Sequence, residues 1–186
     1  MIQTEQVIQE VKKMIKGKDT SICKVFAAML AGGHILIDDV PGVGKTTLAV
    51  AFSQAMQLEN HRVQFTPDVL PADILGFSMY QKETGQFVYY PGAVICNLFL
   101  ADEINRTSPK TQSALLEVME EGCVTVDGVT REMPEPFLVM ATQNPKGSAG
   151  TQLLPESQLD RFMICVSMGY PDVATEIEIA RGKSAS

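Results

Sequence analysis

The stretch HILIDDVPGVGKTT, residues 34–47, constrains the fold more than any other part of this chain. Its first six residues form a short, nearly continuous apolar run, which is typical of a parallel strand buried on both faces. A glycine-rich turn follows, and the residues from Lys45 to about Met56 then have helical spacing. A buried strand that passes through glycines into a helix beginning with lysine is the context in which backbone amides surround a phosphate group. The stretch therefore predicts an α/β chain with an anion-binding loop at the carboxyl end of its first strand.

The candidate phosphate loop consists of the consecutive residues Pro41, Gly42, Val43, Gly44, Lys45, Thr46 and Thr47. Gly42 and Gly44 lack a Cβ, so their amides can turn inward around phosphate oxygens. The N-terminus of the following helix adds N–H groups and about half a positive charge. Lys45 would bring a full charge to the β- and γ-phosphates, and the Thr46 hydroxyl would bind Mg²⁺. The common pattern is GxxxxGK[ST]. Here Asp39 stands at its first glycine, so a glycine-rich turn that binds nothing is the alternative.

The rest of the chain alternates between helix and strand patterns. Amphipathic helices are predicted at 5–15 and 19–31, and a further helix at 109–121. Core strands are predicted at 34–39, 62–65, 93–103, 136–144 and 161–169. Two antiparallel hairpins are predicted at 77–90 and 123–132, the second around the turn dipeptide Asp127-Gly128. The pattern predicts a mostly parallel sheet covered by helices on both faces, with β-hairpin insertions.

Polar residues follow two of the predicted core strands at the point where each strand ends. Asp102 and Glu103 close the run NLFLADE, and Thr142, Gln143 and Asn144 close the run FLVMATQN. Ligands in such sheets bind beyond the carboxyl ends of the strands. We therefore expect Asp102 to reach a bound metal, Glu103 to polarise an attacking water, and Asn144 to orient that water and sense the γ-phosphate. The alternatives are a strand-end carboxylate that only faces solvent and an asparagine that only starts the next turn.

Composition disfavours several classes of function. Lys plus Arg number 15 and Asp plus Glu 22, so the net charge of −7 disfavours nucleic-acid binding as the main role. The apolar runs are far shorter than the ~20 residues of a membrane-spanning helix, and the N-terminal segment lacks the apolar core of a signal peptide. We therefore expect a cytoplasmic protein without a membrane span. The four cysteines and two histidines have no metal-binding spacing, and we expect the cysteines to be reduced thiols in the core.

Long strings of this sequence resemble the AAA+ ATPases, and the MoxR family in particular. These strings are AGGHILIDDVPGVGKTTLA, QFTPDVLPADILG, FLADEINRTSPKTQSALLEVMEE, VTVDGVT, MATQNP and LPESQLDRF. The likeness covers residues ~10–172, which is almost the whole chain. It implies a P-loop NTPase three-layer sandwich with a parallel five-stranded sheet in the order 5-1-4-3-2. It also implies that ATP and Mg²⁺ bind at the strand tips.

The resemblance implies roles for the residues around the nucleotide. The segment from Gly42 to Thr47 matches the Walker A loop of the family. Asp102 and Glu103 match its Walker B pair, and Asn144 matches its sensor 1 residue. The string MIKGK at 14–18 matches the adenine-side box and keeps its glycine, Gly17, but has lysine where the family usually has glutamine.

Two arginines are candidates for contacts between subunits. Arg161, in the string LDRF, matches the arginine finger that acts on the nucleotide of a neighbouring subunit. Arg106, in the string INR, is a second candidate. Judged without the family, Arg161 would be a helix-end cation that pairs with Asp160 or with terminal carbonyls. In the trans role, its charge would neutralise charge that develops in the transition state, and catalysis would depend on assembly.

The resemblance also implies a domain organisation and partners. Residues 1–172 correspond to the ATPase core, beginning with the helical segment 1–31, and residues 173–186 are a polar tail. In the family, a helical lid of about a hundred residues follows the core. Members of the family form homo-oligomeric rings, with a hexamer expected. They help to mature or activate partner proteins, often together with von Willebrand factor A domain proteins. On the first hairpin, the aromatic residues expected to be exposed for such a client are Phe77, Tyr80, Tyr89 and Tyr90.

Three functions follow from these patterns. The first is Mg²⁺-dependent ATP hydrolysis by a chaperone-like module, which would need Glu103, Asn144 and Arg161. The second is a module that binds nucleotide without turnover, which the absence of lid-like sequence after residue 172 motivates. The third is a P-loop small-molecule kinase, which the Asp-Glu pair disfavours because such kinases need an acceptor-binding lid and mobile arginines. Phosphate transfer to a small acceptor would identify the third.

Overall fold

The computed structural model describes residues 4–38, 44–143 and 154–169. The helices are α1 (Thr4–Met14), α2 (Asp19–Leu30), α3 (Lys45–Met56), α4 (Pro71–Leu75), α5 (Pro109–Glu121) and α6 (Glu156–Leu159), with a 3-10 turn at Ile104–Arg106. The strands are β1 (Ile35–Asp38), β2 (Asn60–Gln64), β3 (Gly76–Gln81), β4 (Gln86–Pro91), β5 (Leu98–Asp102), β6 (Cys123–Val126), β7 (Val129–Glu132), β8 (Leu138–Gln143) and β9 (Ile164–Val166). The predicted helices and both predicted hairpins are confirmed.

Five strands form one parallel sheet in the order β2-β5-β8-β1-β9. Counted along the chain, β1, β2, β5, β8 and β9 are the first to fifth core strands, so this order is the predicted 5-1-4-3-2 read from the other edge. The remaining strands pair as the two antiparallel hairpins β3–β4 and β6–β7. No helix in the described part of the chain is long and apolar enough to cross a membrane.

The sheet has an apolar layer on each face, because side chains alternate along every strand. In β5, Leu98 and Leu100 pack into one core with α1, α2 and α3, whereas Phe99 and Ala101 pack into a second core with α4 and α5. The strand is buried along its whole length. This double burial explains why the core strands read as continuous apolar runs in the sequence.

The core strands predicted at 93–103 and 161–169 extend furthest beyond the strands in the structure, β5 and β9. Residues 93–97 precede β5 as a turn, in which the Ala93 and Val94 amides donate to the carbonyls of Asp73 and Ile74 in α4. Residues 161–163 belong to the turn after α6, where the Phe162 amide donates to the Leu159 carbonyl at 3.0 Å. Val94, Cys96 and Phe162 in these segments are buried outside any strand, so burial produces part of the strand-like pattern without a strand ladder.

The cysteines are free thiols, as predicted, but the prediction that all of them lie in the core is wrong. Cys96 is buried, and burial raises the pKa of its thiol to about 11. Cys23 and Cys165 are exposed, and Cys123 is intermediate. Cys165 lies on β9, which is an edge strand of the sheet, and its side chain points away from the face that buries Val166. An apolar neighbourhood in the sequence therefore did not fix which face of the element each thiol occupies.

The β3–β4 hairpin carries exposed aromatic side chains, as predicted for three of the four residues. Phe77, Tyr80 and Tyr90 are exposed. Tyr89 is half-buried instead: its hydroxyl donates to the Leu75 carbonyl at 2.6 Å, and the Arg131 guanidinium lies 3.7 Å from its ring centre. Tyr89 therefore joins the two hairpins and is not part of the exposed aromatic surface.

His34, which is buried immediately before β1, links this strand to β8 and α5. Its Nδ1 accepts from the Val139 amide of β8 at 3.0 Å, so its proton is on Nε2, which lies 3.0 Å from the Met119 carbonyl of α5. Burial lowers the pKa of His34, and the weaker effect of the Met119 carbonyl raises it. The ring is therefore neutral in the folded chain.

This neutral histidine makes the free energy of unfolding depend on pH. Because the folded pKa lies below the unfolded value of about 6.5, the unfolded chain takes up the proton first. The contribution of His34 is present above about pH 6.5 and is lost as the pH falls, by at most ~1.4 kcal/mol per pH unit. Urea unfolding at a series of pH values, compared between the parent and His34→Gln, measures this loss. Parallel pH profiles for the two chains would contradict it.

Candidate functional site

The carboxyl ends of three neighbouring strands meet at one edge of the sheet. β8 lies between β1 and β5, and the register pairs Asp38 of β1 with Gln143 of β8. On the other side of β8, Ala101 of β5 pairs with Ala141, so Asp102 and Thr142 follow side by side. The parallel arrangement therefore brings together the polar residues that end β5 and β8. It also brings them to the edge from which the chain leaves β1 towards α3.

Lys45 begins α3 at this edge and is buried. Its Nζ donates to the Gln143 carbonyl at 3.3 Å, and its exposed fraction is 7%. Gly44 precedes it with φ 89°, a left-handed conformation that favours glycine. Thr46 is half-buried and Thr47 is exposed, while Pro41, Gly42 and Val43 of the predicted loop lie outside the described residues. A buried ammonium thus lies at the N-terminus of a 12-residue helix, where the first amides lack partners within the helix.

Thr142 joins the two acidic residues that were predicted from the sequence. Its hydroxyl donates to Asp102 Oδ1 at 2.6 Å, and the same oxygen accepts from the Glu103 amide at 2.9 Å. Thr142 is fully buried and Asp102 is 9% exposed. Sequence reasoning noted Thr142 at the strand end but assigned the role there to Asn144, which lies outside the described residues. The structure adds Thr142 as the residue that fixes the position of both carboxylate-bearing residues.

This network predicts a measurable difference between two substitutions of Thr142. Thr142→Val removes the hydroxyl and leaves the part-buried Glu103 amide and the buried Asp102 Oδ1 each without this partner. We expect a loss of ~2–4 kcal/mol in the free energy of unfolding, since an unsatisfied buried polar group costs about 1–3 kcal/mol. Thr142→Ser keeps the hydroxyl and should lose about 1 kcal/mol, the value of one buried methyl group. Urea unfolding compares the two, and equal losses would contradict the hydrogen-bonding role.

Glu103 has an unusual backbone conformation and a partner in its own chain. Its φ is 57° and its ψ 48°, in the left-handed region that non-glycine residues rarely occupy. Arg106 Nη1 donates to Glu103 Oε2 at 2.7 Å. Such conformations are found preferentially where the surrounding structure holds a functional side chain in place, at a cost of about 1–3 kcal/mol. Arg106, predicted as a second interface arginine, pairs here with Glu103 of the same chain.

Arg62 of β2 is a charged neighbour that sequence reasoning did not find. Its Nη2 lies 2.7 Å from Asp102 Oδ2 and 3.3 Å from Gln64 Oε1. The register pairs Gln64 with Asp102 and Arg62 with Leu100, so all of these side chains share one face of the sheet. The sequence offered one signal, which was that Arg62 lies two residues before the end of a predicted strand. The spacing of residues did not show which strand lies beside it.

The chemistry of the residues at this edge fits a nucleotide phosphate and a divalent cation. A buried ammonium and a helix N-terminus attract phosphate, and a carboxylate beside a threonine hydroxyl supplies the oxygen ligands that Mg²⁺ prefers. Gln143 Oε1 is buried and accepts no hydrogen bond within the described residues. Buried polar atoms without a partner are rare and indicate a missing partner such as a ligand, an ion or a water molecule.

Arg161 lies at the amino ends of the strands, on the opposite side of the sheet from the Lys45 site. Its guanidinium contacts Glu120 Oε2 at 2.8 Å and donates to the Ser157 carbonyl at 2.9 Å. Two residues further on, the Met163 amide donates to the carbonyl of His34, which precedes β1, whereas Lys45 follows the other end of β1. The structure therefore does not bring Arg161 to the Lys45 site of its own chain. The helix-end carbonyl partner expected from the residues alone is present, but the acidic partner is Glu120 and not Asp160.

Gly17 and Lys18 border a cleft on the carboxyl-end side of the sheet. Lys18 is buried and its Nζ donates to the carbonyl of Gly169, which lies beyond the carboxyl end of β9. The cleft has a volume of about 300 Å³ and is lined by residues 17–21 and Met168. It is therefore on the side of the sheet on which an adenine-side pocket was predicted, and the role of Gly17 there stays a prediction.

Comparison with known proteins decides the family. The model of the ATPase family associated with various cellular activities (AAA) matches residues 34–164, which span the strand before the phosphate loop, the acidic pair and Arg161. The chain belongs to the AAA ATPases, and to their MoxR type. It is 46% identical to chaperone MoxR1 of Mycobacterium tuberculosis, over 94% of this chain and 46% of that protein. It is 32% identical to MoxR of Methylorubrum extorquens, over 88% and 48% of the two chains.

Further relatives of this MoxR-type chain agree with that assignment. YeaC of Bacillus subtilis is 51% identical over 94% of this chain and 54% of its own length. The crystal structure of an ATPase candidate from Cytophaga hutchinsonii superposes with a TM-score of 0.85 at 44% identity, over 97% of this chain and 55% of that one. This MoxR-type chain spans about half the length of the curated relatives it matches.

Proposed function

We propose that this chain binds ATP at the carboxyl edge of its sheet and hydrolyses it with the help of Mg²⁺. One observation carries the proposal: the buried Lys45 ammonium and the Asp102–Thr142–Glu103 network occur at the same sheet edge. Family membership supports nucleotide binding. Phosphoryl transfer requires mainly positioning and charge neutralisation, and this edge offers a buried cation, the fixed carboxylate of Asp102 and the carboxylate of Glu103.

Binding of the phosphates is assigned to the loop and the start of α3. Lys45 contributes the positive charge, and the amides from Gly44 to Thr47 contribute hydrogen-bond donors. Pro41, Gly42 and Val43 complete the proposed loop, and Gly17 is proposed to lie on the adenine side. The donors are held before binding by the helix and by the burial of Lys45, so little reorganisation is needed when the nucleotide enters.

The metal is assigned to Thr46 and Asp102. When bound, Mg²⁺ neutralises the charge of the phosphate oxygens. Asp102 is suited to this position because Thr142 holds one of its oxygens at 2.6 Å and so fixes its orientation. Thr46 follows Lys45 in the first turn of α3, on the face of the sheet against which Leu48 and Ala49 pack.

Glu103 is proposed to orient the attacking water and to accept its proton. For this, its carboxylate must point towards the γ-phosphate, whereas in this structure Oε2 accepts from Arg106 at 2.7 Å. Arg106 would therefore have to leave Glu103 before the water can bind there. Asn144, next to the fixed strand end at Gln143, is proposed to hold the same water and to contact the γ-phosphate.

Assembly is proposed to supply the remaining cation. Arg161 lies at the edge of the sheet opposite to Lys45, so it could act only on the nucleotide of a neighbouring copy, as in a ring, with a hexamer as the expected form. The contact with Glu120 would have to open on assembly. By similarity to chaperone MoxR1 we further propose a cytoplasmic, chaperone-like role in maturing partner proteins, with a von Willebrand factor A domain protein as one candidate partner. The net charge of −7 disfavours a nucleic-acid partner.

The rate of phosphate release from Mg-ATP, measured over a hundredfold range of chain concentration, tests hydrolysis and assembly together. We expect the rate per mole of chain to rise with concentration, because Arg161 acts across an interface. A rate per mole that is independent of concentration would contradict the trans role, and transfer of phosphate to a small acceptor without release would identify a kinase.

A second function, binding without turnover, is favoured by one specific observation. The two arginines that the sequence suggested for contacts between subunits are engaged within the chain, Arg106 with Glu103 and Arg161 with Glu120. If these pairs persist when nucleotide binds, the chain holds ATP but does not activate water. Measurable nucleotide binding with no phosphate release at any chain concentration would identify this second function.

A further inference from the structure

Each carboxylate oxygen of Asp102 has a partner within the chain, one a hydroxyl and the other a guanidinium. Thr142 donates to Oδ1 at 2.6 Å, and Arg62 Nη2 contacts Oδ2 at 2.7 Å. The Asp102 side chain is only 12% exposed, whereas the Arg62 side chain is 50% exposed. The carboxylate is therefore fixed in the protein, and the arginine is the partner that can move into solvent.

Arg62 is held on the correct face by the strand and by one neighbour. It lies two residues before Gln64 on β2, so both side chains point to the side of Asp102, and its Nη2 also lies 3.3 Å from Gln64 Oε1. The contact with Gln64 keeps the guanidinium near the Asp102 carboxylate, and Arg62 divides its hydrogen bonds between the two side chains. The ion pair lies on a solvent-accessible rim, where its strength depends on competing cations.

We propose that Arg62 is a counter-ion of Asp102 that competes with the divalent cation and thereby sets the Mg²⁺ concentration needed for nucleotide binding. The inference rests on the proposed function, since it takes Asp102 as the residue that supports the metal. An arginine 2.7 Å from a carboxylate oxygen lowers the negative charge available to Mg²⁺, and two like charges at one carboxylate repel each other. Binding of Mg²⁺ at Asp102 therefore requires Arg62 to withdraw, and Gln64 offers it a nearby acceptor.

The test measures the Mg²⁺ concentration at half-maximal binding of a fluorescent, non-hydrolysable ATP analogue. For Arg62→Gln we expect this midpoint to fall at least ~5-fold, because the competing charge is removed, while affinity at saturating Mg²⁺ stays within about 2-fold of the parent. Arg131→Gln is the matched control, since it removes the same charge from β7 outside the site, and its midpoint should equal that of the parent. A midpoint in Arg62→Gln that is unchanged or higher overturns the inference.

A second variant keeps the test decisive if the glutamine substitution disturbs folding. Arg62→Lys retains the charge on β2 but not the planar fork of arginine, so we expect a smaller fall of about 2-fold in the midpoint. As an independent readout in the parent chain, the side-chain ¹⁵Nε signal of Arg62, assigned from its loss in Arg62→Lys, should shift when Mg²⁺ and the analogue are added together. A signal that does not shift overturns the inference. Absence of analogue binding in the parent at every Mg²⁺ concentration would instead overturn the proposed function and this inference with it.

Discussion

Glu103→Gln is expected to reduce the rate of phosphate release from Mg-ATP by about 10²–10⁴-fold while leaving nucleotide affinity nearly unchanged. The substitution keeps the size of the side chain and a hydrogen-bonding group, but an amide cannot accept the proton of the attacking water. The hydrogen bond that the Glu103 amide donates to the Thr142 hydroxyl uses only the backbone of Glu103, so it survives the change. The same holds for the left-handed backbone conformation, which glutamine can adopt as well as glutamate.

The measurement is single-turnover phosphate release together with titration of a fluorescent ATP analogue. Glu132→Gln is the matched control, because Glu132 is an exposed carboxylate on β7, outside the site. The Glu132→Gln chain should hydrolyse ATP at the parent rate. A Glu103→Gln chain that turns over as fast as the parent would show that the proton acceptor is a different residue.

Lys45→Ala is expected to weaken nucleotide binding by at least about a hundredfold. Hydrogen bonds to charged groups contribute about 1.5–3 kcal/mol each, and Lys45 is proposed to contact two phosphates, so both contributions are lost together. Burial increases this effect, because water cannot replace the ammonium as readily at a position that is 7% exposed. The substitution also removes the 3.3 Å contact with the Gln143 carbonyl, so the fold must be checked by circular dichroism.

Lys24→Ala serves as the control for this variant, since Lys24 is an exposed lysine on α2 and its loss changes the net charge equally. Its affinity for the labelled nucleotide should match that of the parent. If folded Lys45→Ala binds the nucleotide with parental affinity, the assignment of the phosphate site at the start of α3 is wrong.

The α/β class and the position of the acidic pair could be predicted because each depends on local signals. The strand, glycine-rich turn and helix at residues 34–56 are contiguous, and the helix begins at Lys45 as predicted. Asp102 was predicted at a strand end by the end of an apolar run, and parallel pairing then places it beside β8. The sheet order itself followed from the resemblance to the family, since pairing between distant strands is not encoded in any short segment.

Thr142 and Arg62 show where sequence reasoning failed in the site. Their partners are 40 residues away from them in the chain, Asp102 in both cases, and the contacts depend on the register of three neighbouring strands. A shift of one residue in the pairing of β2 or β8 with β5 would turn Arg62 or Thr142 to the face opposite to Asp102. Spacing along the chain fixes neither register nor face, which is also why Cys23 and Cys165 were wrongly predicted in the core.

Arg106 forms a contact that the sequence did not predict. The string INR suggested an interface arginine, which stays a prediction, and the 3-10 turn at Ile104–Arg106 directs its guanidinium back to Glu103, three residues earlier. The direction of this turn depends on the left-handed backbone conformation of Glu103. No sequence pattern predicts that conformation for a glutamate. Functional sites are the places where such local departures from sequence preference are expected.

Hydrogen–deuterium exchange with and without a non-hydrolysable Mg-ATP analogue, at a concentration where the chain is monomeric, tests the location of the site most directly. Nucleotide binding at this site should slow exchange in peptides that cover the start of α3, the end of β5 and the end of β8. Exchange should not change in peptides that cover the C-terminal turn of α5, which contains Glu120, and α6 with the following turn, which contains Arg161. Protection confined to the α5–α6 peptides, or protection nowhere in the chain, would contradict a nucleotide site at the carboxyl edge of the sheet.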